Sequence, residues 1–213
     1  NASLLPHRVS DIHARDLRIN PSAYMPVHTE GIVGAPPATT LPVIEDACQA
    51  FGAAGLGFAD LTCLSFHPMK VLGAMGDGGA ITGSDPIFRD RLLSLRHHGT
   101  RGVNSRLDAI QAAILNVKLR HLDRWLTQRA MLAQRYTHAF QGLDRLTLPP
   151  NTPGRVWSSY VLQLDDAARV AQYLATLRVE SSVIDSGRLA LPLYPQLTNN
   201  EQTRVIAAVL EAL

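Results

Sequence analysis

The chain has 213 residues, 46% of them hydrophobic, and its 20 Lys and Arg nearly balance its 18 Asp and Glu. That length can bury a core without disulfide or metal staples, in one large domain or two small ones. The balanced charge excludes a disordered polyelectrolyte and disfavours nucleic acid as a partner. No apolar run approaches the ~20 residues of a membrane span, and no signal peptide is evident. We therefore expect a soluble, cytoplasmic α/β protein.

Two scarce residue types carry information. Cys48 and Cys63 lack the spacing of a zinc site and lie in apolar sequence, which favours reduced, buried thiols and no metal. Among the 20 cationic residues, only Lys70 and Lys118 are lysines. An amine can lose its proton and attack a carbonyl, whereas a guanidinium cannot. A lysine in this sequence therefore suggests a specific use of its chemistry.

The first forty residues are interrupted by prolines, and only short pieces such as Met25–His28 look extended. Three apolar runs then have the pattern of buried strands, at residues 41–46, 63–66 and 80–82. Asp85-Pro86 predicts the start of a helix that runs to about His97. A long helix is predicted from residue 105 to about 141, with Ser105 as its cap and a bend near His121.

The sequence changes character after Gly142, where a compact α/β unit is predicted. Its strands and helices alternate along the chain, at residues 156–164, 166–177, 179–184 and 200–213. We place the domain boundary within the long helix, near Asp123. The predicted organisation is therefore one domain over residues 1–123 and a second over residues 124–213.

Polar residues at predicted strand ends form the candidate site. Lys70 follows a strand, five residues after Ser65 and just before a glycine-rich stretch, so desolvation can free its amine for a Schiff base. Asp46 ends the neighbouring strand, where a carboxylate can hold a pyridinium nitrogen protonated. That ion pair makes pyridoxal phosphate (PLP) an electron sink. Ser65, Asn104 and N–H groups of the loop can then bind the phosphate.

Three ordered motifs carry a resemblance to a known family: residues 41–50 (LPVIEDACQA), 65–79 (SFHPMKVLGAMGDGG) and 104–115 (NSRLDAIQAAIL). On these motifs the chain resembles the DegT/DnrJ/EryC1/StrS aminotransferases, which use PLP on nucleotide sugars and cyclitols. The resemblance implies a type I, aspartate-aminotransferase-like fold. Residues 1–123 would then form part of the large PLP-binding domain, and residues 124–213 the small C-terminal domain.

The resemblance also implies roles for single residues. Lys70 would form the Schiff base with PLP, and Asp46 would pair with the pyridine nitrogen. Gln49 would pack at the ring near its 3-hydroxyl, and Ser65 would bind the phosphate. Asn104 would reach the phosphate of the neighbouring subunit's cofactor, so the catalytic unit would be a homodimer.

The activity that the resemblance implies is ping-pong transfer of an amino group from glutamate or glutamine to a keto sugar nucleotide or keto cyclitol. The PLP-dependent sugar dehydratases of the same family are one alternative, but they carry His where Lys70 stands. A non-catalytic dimerisation or regulatory remnant is the other. The family's N-terminal part, with its phosphate-binding turn and stacking aromatic, has no counterpart here, and neither do several shorter segments. We expect the 213 residues to be parts of a longer chain, and a truly shortened chain is the alternative.

Other conspicuous residues have simpler interpretations. The glycine-rich stretch Gly73–Gly79 lacks the Gly-Lys-Ser/Thr ending of a P-loop, which predicts close backbone packing beneath the cofactor. His67 is interpreted as a wall of the cofactor pocket or a neighbour of the substrate. His28 has either an active-site or a structural role. Trp125 and Trp157 are predicted to be core or interface aromatics.

Overall fold

A computed structural model describes residues 21–97 and 104–213. The chain divides into two compact units, one ending at Leu119 and the other spanning Arg120–Leu213. No helix within the described residues has both the length and the apolar character to cross a membrane. The assignment of the two parts as a cofactor-binding domain and a small domain stays a prediction.

The N-terminal unit contains a three-stranded sheet in the order β1-β2-β3. Its strands are β1 (Ile44–Asp46), β2 (Leu61–Ser65) and β3 (Gly79–Thr82). β1 and β2 run parallel, with Asp46 opposite Cys63, whereas β3 is antiparallel to β2, with Ser65 opposite Gly79. The three strands predicted from the apolar runs are thus confirmed, with shifted ends.

The extended piece near Met25 lies along the other edge of β1. Two isolated parallel bridges join them, Tyr24 to Val43 and Val27 to Asp46. A short 3-10 helix, Thr29–Gly31, follows at once. Residues 24–30 therefore accompany β1 to its C-terminal end, where Asp46 lies.

The helix α1 (Pro86–Arg96) confirms its predicted start. Asp85 caps it, because its Oδ1 accepts the backbone N–H of Ile87 at 2.8 Å. The first turn of a helix tolerates Pro86, because a backbone N–H at that position would have no partner within the helix. The helix has no buried residue. Its local signals alone therefore define its beginning.

The single long helix predicted over residues 105–141 is wrong: the chain forms two helices, α2 (Ala109–Leu119) and α3 (Leu122–Phe140). A turn at residues 120–121 separates them, near the bend predicted at His121. Ser105 is not the cap either. Asp108 accepts the N–H of Ile110 at 2.7 Å, because it directly precedes the first helical turn.

The C-terminal unit packs three helices with an antiparallel sheet in the order β4-β5-β7-β6. The helices are α3, α4 (Ala167–Thr176) and α5 (Asn199–Ala212); the strands are β4 (Leu146–Thr147), β5 (Tyr160–Leu164), β6 (Ser182–Asp185) and β7 (Arg188–Leu191). The sequence analysis missed β4 and β7. The two-residue turn Ser186-Gly187 between β6 and β7 is a hairpin signal that could have revealed β7.

The core of the C-terminal unit is aromatic and aliphatic. Tyr136, Phe140 and Tyr160 are fully buried, and the rings of Tyr136 and Tyr160 lie 5.0 Å apart. Trp157 is also buried, as predicted for a core aromatic, whereas Trp125 is half-buried. This core fixes the C-terminal unit without any residue of the candidate site.

Candidate functional site

The candidate site lies where the parallel strands end. Asp46 is the last residue of β1 and Ser65 the last of β2, and the pairing of Asp46 with Cys63 sets both ends at one edge of the sheet. Carboxyl ends of parallel strands are where α/β proteins place ligands, because loops there can carry polar groups over the edge. Lys70 lies five residues after Ser65, in the loop of residues 66–78 that joins β2 to β3 (the Lys70 loop).

The Lys70 loop is anchored on both sides of the lysine. The backbone N–H of Lys70 donates to the His67 carbonyl at 2.9 Å, and the next two residues, Val71 and Leu72, are buried. The Lys70 side chain is only half-buried, and its Nζ has no hydrogen-bond partner among the described residues. A fixed backbone thus presents an uncommitted amine.

The glycine-rich stretch holds this loop closed. A Cβ on Gly73 would lie closer than 3.0 Å to the carbonyl oxygens of His67 and Pro68, so only glycine fits there. The second lysine, Lys118, donates from Nζ to the Gly73 carbonyl at 2.6 Å. The close backbone packing predicted for this stretch is confirmed; its position beneath a cofactor stays a prediction.

Asp46 and Lys70 both affect the thiol of Cys48. Its Oδ1 accepts the backbone N–H of Cys48 at 3.1 Å. Burial, followed by the hydrogen bond and charge of Asp46, raises the pKa of the Cys48 thiol to about 11, while the nearby Lys70 amine opposes the rise. Burial and Asp46 also raise the pKa of Cys63. Asp46 and Lys70 therefore act on the same small space, and Cys48 is an uncharged thiol at neutral pH.

Ser65 and Gln49 each keep hydrogen atoms free to donate. Ser65 Oγ accepts the N–H of His67 at 3.3 Å, which leaves its hydroxyl proton available. Gln49 is exposed, and its Oε1 accepts the N–H of Glu30 at 2.8 Å, which leaves its amide N–H₂ group available. Both residues can therefore still bind an acceptor such as a phosphate oxygen or a phenolic oxygen.

Asn104 stands apart from the other predicted site residues. It is exposed, and its Oδ1 lies 3.5 Å from His97 Nδ1. Within residues 21–97 and 104–213, no hydrogen bond joins Asn104 to Asp46, Gln49, Ser65 or Lys70. Its assignment to a neighbouring subunit's cofactor stays a prediction.

The two conspicuous histidines separate. His67 is exposed, and its Nδ1 accepts the N–H of Met69 at 3.2 Å within the Lys70 loop. His28 is buried, and its Nε2 lies 3.1 Å from Glu45 Oε1. Of the two roles that the sequence left open for His28, the structure places it in the structural one.

Two residues that support the site, Lys118 and Gln111, are not among the predicted site residues. Lys118 is as rare a residue type in this chain as Lys70, and this rarity is a signal that could have identified it. Gln111 accepts the N–H of Met75 through its Oε1 at 2.9 Å, and so helps Lys118 to hold the glycine-rich stretch against α2. Nothing local marks Gln111, because its partner lies 36 residues away.

Two curated proteins are similar in sequence to this chain. The erythromycin biosynthesis sensory transduction protein EryC1 of Saccharopolyspora erythraea is 37% identical over 158 residues, which cover 67% of this chain and 43% of EryC1. The dTDP-3-amino-3,4,6-trideoxy-alpha-D-glucose transaminase of Streptomyces venezuelae is 32% identical over 214 residues, which cover 80% of this chain and 56% of the transaminase. The chain thus spans about half the length of these curated relatives.

The fold is similar to that of a solved structure. The crystal structure of NtdA from Bacillus subtilis with bound cofactor PMP superposes with a TM-score of 0.80 and 27% identity, over 91% of this chain and 57% of that one. This likeness confirms the predicted fold class. Residues 23–184 match the family model described as the DegT/DnrJ/EryC1/StrS aminotransferase family. Since that match takes in most of the chain, including Asp46, Ser65 and Lys70, the chain belongs to the DegT/DnrJ/EryC1/StrS aminotransferase family.

Proposed function

We propose that this protein is a PLP-dependent aminotransferase that moves an amino group from glutamate or glutamine to a keto sugar nucleotide or keto cyclitol. The observation that carries the proposal is the Lys70 amine, which has no hydrogen-bond partner among the described residues and stands at the sheet edge that also bears Asp46 and Ser65. The substrate class is supported by the name of the Streptomyces relative, a transaminase of a dTDP-sugar.

The chemistry of these three side chains fits PLP. An amine matches the aldehyde, a carboxylate matches the pyridine nitrogen, and a hydroxyl matches the phosphate. When bound, PLP supplies an electron sink for the bond that breaks at the substrate carbon. Lys70 would hold the aldehyde, Asp46 the ring nitrogen and Ser65 the phosphate, with Gln49 beside the ring.

The residues of the chain would then divide the work of proton transfer. The amine of Lys70 would act as the general base that takes the proton from the α-carbon of the amino donor, at hydrogen-bond range. The Asp46 carboxylate would accept the hydrogen bond of the protonated ring nitrogen. The amide of Gln49 stays free to donate to the ring hydroxyl, since the N–H of Glu30 occupies only its Oε1.

The test is reductive trapping. We expect borohydride to fix PLP on the protein, with one adduct per chain that peptide mapping places on Lys70. We also expect glutamate, added before the reduction, to prevent the adduct, because its amino group would replace the Lys70 amine at the PLP aldehyde. An adduct that survives glutamate, or the absence of any adduct, would favour the non-catalytic remnant.

We also propose a cytoplasmic homodimer with a shared active site. Apolar side chains around the Lys70 loop and along α2 are open to solvent: Met69 is 82% exposed, Met75 76% and Ile110 68%. A second subunit could cover these exposed apolar side chains, which supports an interface there. Cys48 and Cys63 are both free, which suits a reducing compartment.

Subunit complementation tests the sharing. Lys70→Arg and Asn104→Ala should each be inactive alone. Mixed after unfolding and refolding, they should recover about 25% of wild-type activity, because half the dimers are hybrids and each hybrid has one intact site. No recovery, with hybrids present in native mass spectra, would contradict a site shared through Asn104.

A further inference from the structure

We infer that His28 is a positioning residue for the sheet edge at which PLP would bind, the C-terminal end of β1. It anchors residues 26–30 to Glu45 and thereby holds Asp46 and Gln49 in place. The inference rests on the proposed function, because the exact placement of Asp46 and Gln49 matters to PLP bound between them. His28 itself touches neither substrate nor cofactor in this scheme.

The segment contacts both residues directly. The Pro26 carbonyl accepts the N–H of Asp46 at 2.9 Å, and the His28 N–H donates to the Asp46 carbonyl at 3.0 Å. Two residues later, the Glu30 N–H donates to Gln49 Oε1 at 2.8 Å. Five consecutive residues thus set the backbone of Asp46 and the side-chain amide of Gln49.

The segment needs to be held. Glu30 has a φ of 55° and Gly31 a φ of 77°, so the chain enters the left-handed region two residues after His28. For a residue with a Cβ, that conformation costs about 1 kcal/mol or more and persists only where the surroundings enforce it. An anchor before Glu30 therefore decides whether its N–H keeps facing Gln49.

The His28 ring is that anchor. It is 1% exposed, with its Nε2 at 3.1 Å from Oε1 of Glu45, which is 0% exposed. The Gly34 N–H donates to Nδ1 at 3.3 Å, so Nδ1 is an acceptor and the ring proton lies on Nε2, pointing at the carboxylate. The edge of the Phe58 ring fixes the ring plane, with centroids 5.9 Å apart.

Glu45 passes this anchoring on to Asp46. Neighbouring side chains of a strand point to opposite faces, so the Glu45 side chain anchors one face of β1 while the Asp46 side chain lies on the other. Its other acceptor positions are filled by Thr62 Oγ1 at 2.6 Å and by the Gly57 N–H at 3.0 Å. Loss of any one of these donors should destabilise the buried carboxylate, so each of them contributes to holding Glu45 in place.

Three single variants of the full chain separate positioning from stability. His28→Gln keeps an N–H donor at the position of Nε2, and His28→Asn keeps only an acceptor at the position of Nδ1. Thr62→Val is the matched control, because it also removes one donor from Glu45 but from β2, outside the segment. For each variant, the dissociation constant of PLP is measured by titrating the apoprotein, together with its thermal midpoint.

We expect His28→Asn to weaken PLP binding by about 10-fold, similar to the loss of affinity at metal sites when a hydrogen-bond partner of a metal ligand is removed. His28→Gln and Thr62→Val should stay within about 3-fold of wild type, although Thr62→Val should lower the thermal midpoint as His28→Asn does. Equal losses in His28→Asn and Thr62→Val, or in the two His28 variants, would overturn the positioning role. A wild type without any Lys70 adduct would instead refute the proposed function, and the inference with it.

Discussion

Replacement of Lys70 by Arg should reduce amino transfer by more than about 1,000-fold, because the reaction loses both its Schiff-base amine and its general base. Arginine keeps the positive charge and similar length, but its guanidinium cannot lose its proton in this pH range. The loop itself should be unaffected, since the backbone N–H of residue 70 makes the bond to His67. The rate of glutamate-dependent amino transfer and the PLP adduct per chain measure the effect.

Lys118→Arg is the matched control. Lys70 and Lys118 are the only lysines of the 213 residues, so the pair tests which amine carries the chemistry. A guanidinium at position 118 can still donate to the Gly73 carbonyl, so the loop should keep its shape and activity should stay within about 3-fold of wild type. A PLP adduct retained in Lys70→Arg, or lost only in Lys118→Arg, would show that Lys118 forms the Schiff base and would contradict the assignment to Lys70.

Replacement of Arg129 by Met should destabilise the C-terminal unit by about 3 kcal/mol. Arg129 is 7% exposed and donates from Nη1 to the carbonyls of Leu193 at 2.8 Å, Ser158 at 3.3 Å and Trp157 at 3.4 Å. Burial lowers its pKa to about 10, so it remains charged at neutral pH. Methionine fills a similar volume but leaves these backbone carbonyls without their donor.

Arg135→Met on the same helix provides the comparison. Arg135 is partly exposed and donates to Thr203 Oγ1 at 2.6 Å and to the Asn199 carbonyl at 2.9 Å, exposed groups that water can satisfy once the arginine is gone. Only one of its acceptors, Gln202 Oε1 at 3.2 Å, belongs to a buried residue, so its loss should cost about 1 kcal/mol. Urea unfolding followed by tryptophan fluorescence measures both, since Trp157 lies in this unit. Similar losses for the two variants would show that burial of Arg129 adds nothing.

The hydrogen bonds of Arg129 also explain the irregular stretch before β5. The sequence predicts a strand from residue 156, but β5 begins only at Tyr160. The carbonyls of Trp157 and Ser158 accept hydrogen bonds from Arg129 instead of from a neighbouring strand. Arg129 precedes Trp157 by 28 residues. No pattern in residues 156–159 encodes that partner.

Local chemistry allowed the sequence alone to determine several features. A cap and a proline begin α1, and Asp166 and Thr198 cap α4 and α5, because each helix start depends on side chains a few residues away. The motif around Lys70 and its rarity as a lysine named the candidate amine and the family. These signals act within about one turn or one strand of the chain.

Only the tertiary structure decided which distant groups meet. His28 and Glu45 are 17 residues apart, Lys118 and Gly73 are 45, and Arg129 and Leu193 are 64. Each of these contacts satisfies a buried polar group, and a buried group takes whichever partner the packed chain brings within about 3 Å. The sequence therefore determined which residues could do chemistry, whereas packing alone decided which residues hold them in place, because hydrogen bonds between distant segments depend on the fold and not on spacing.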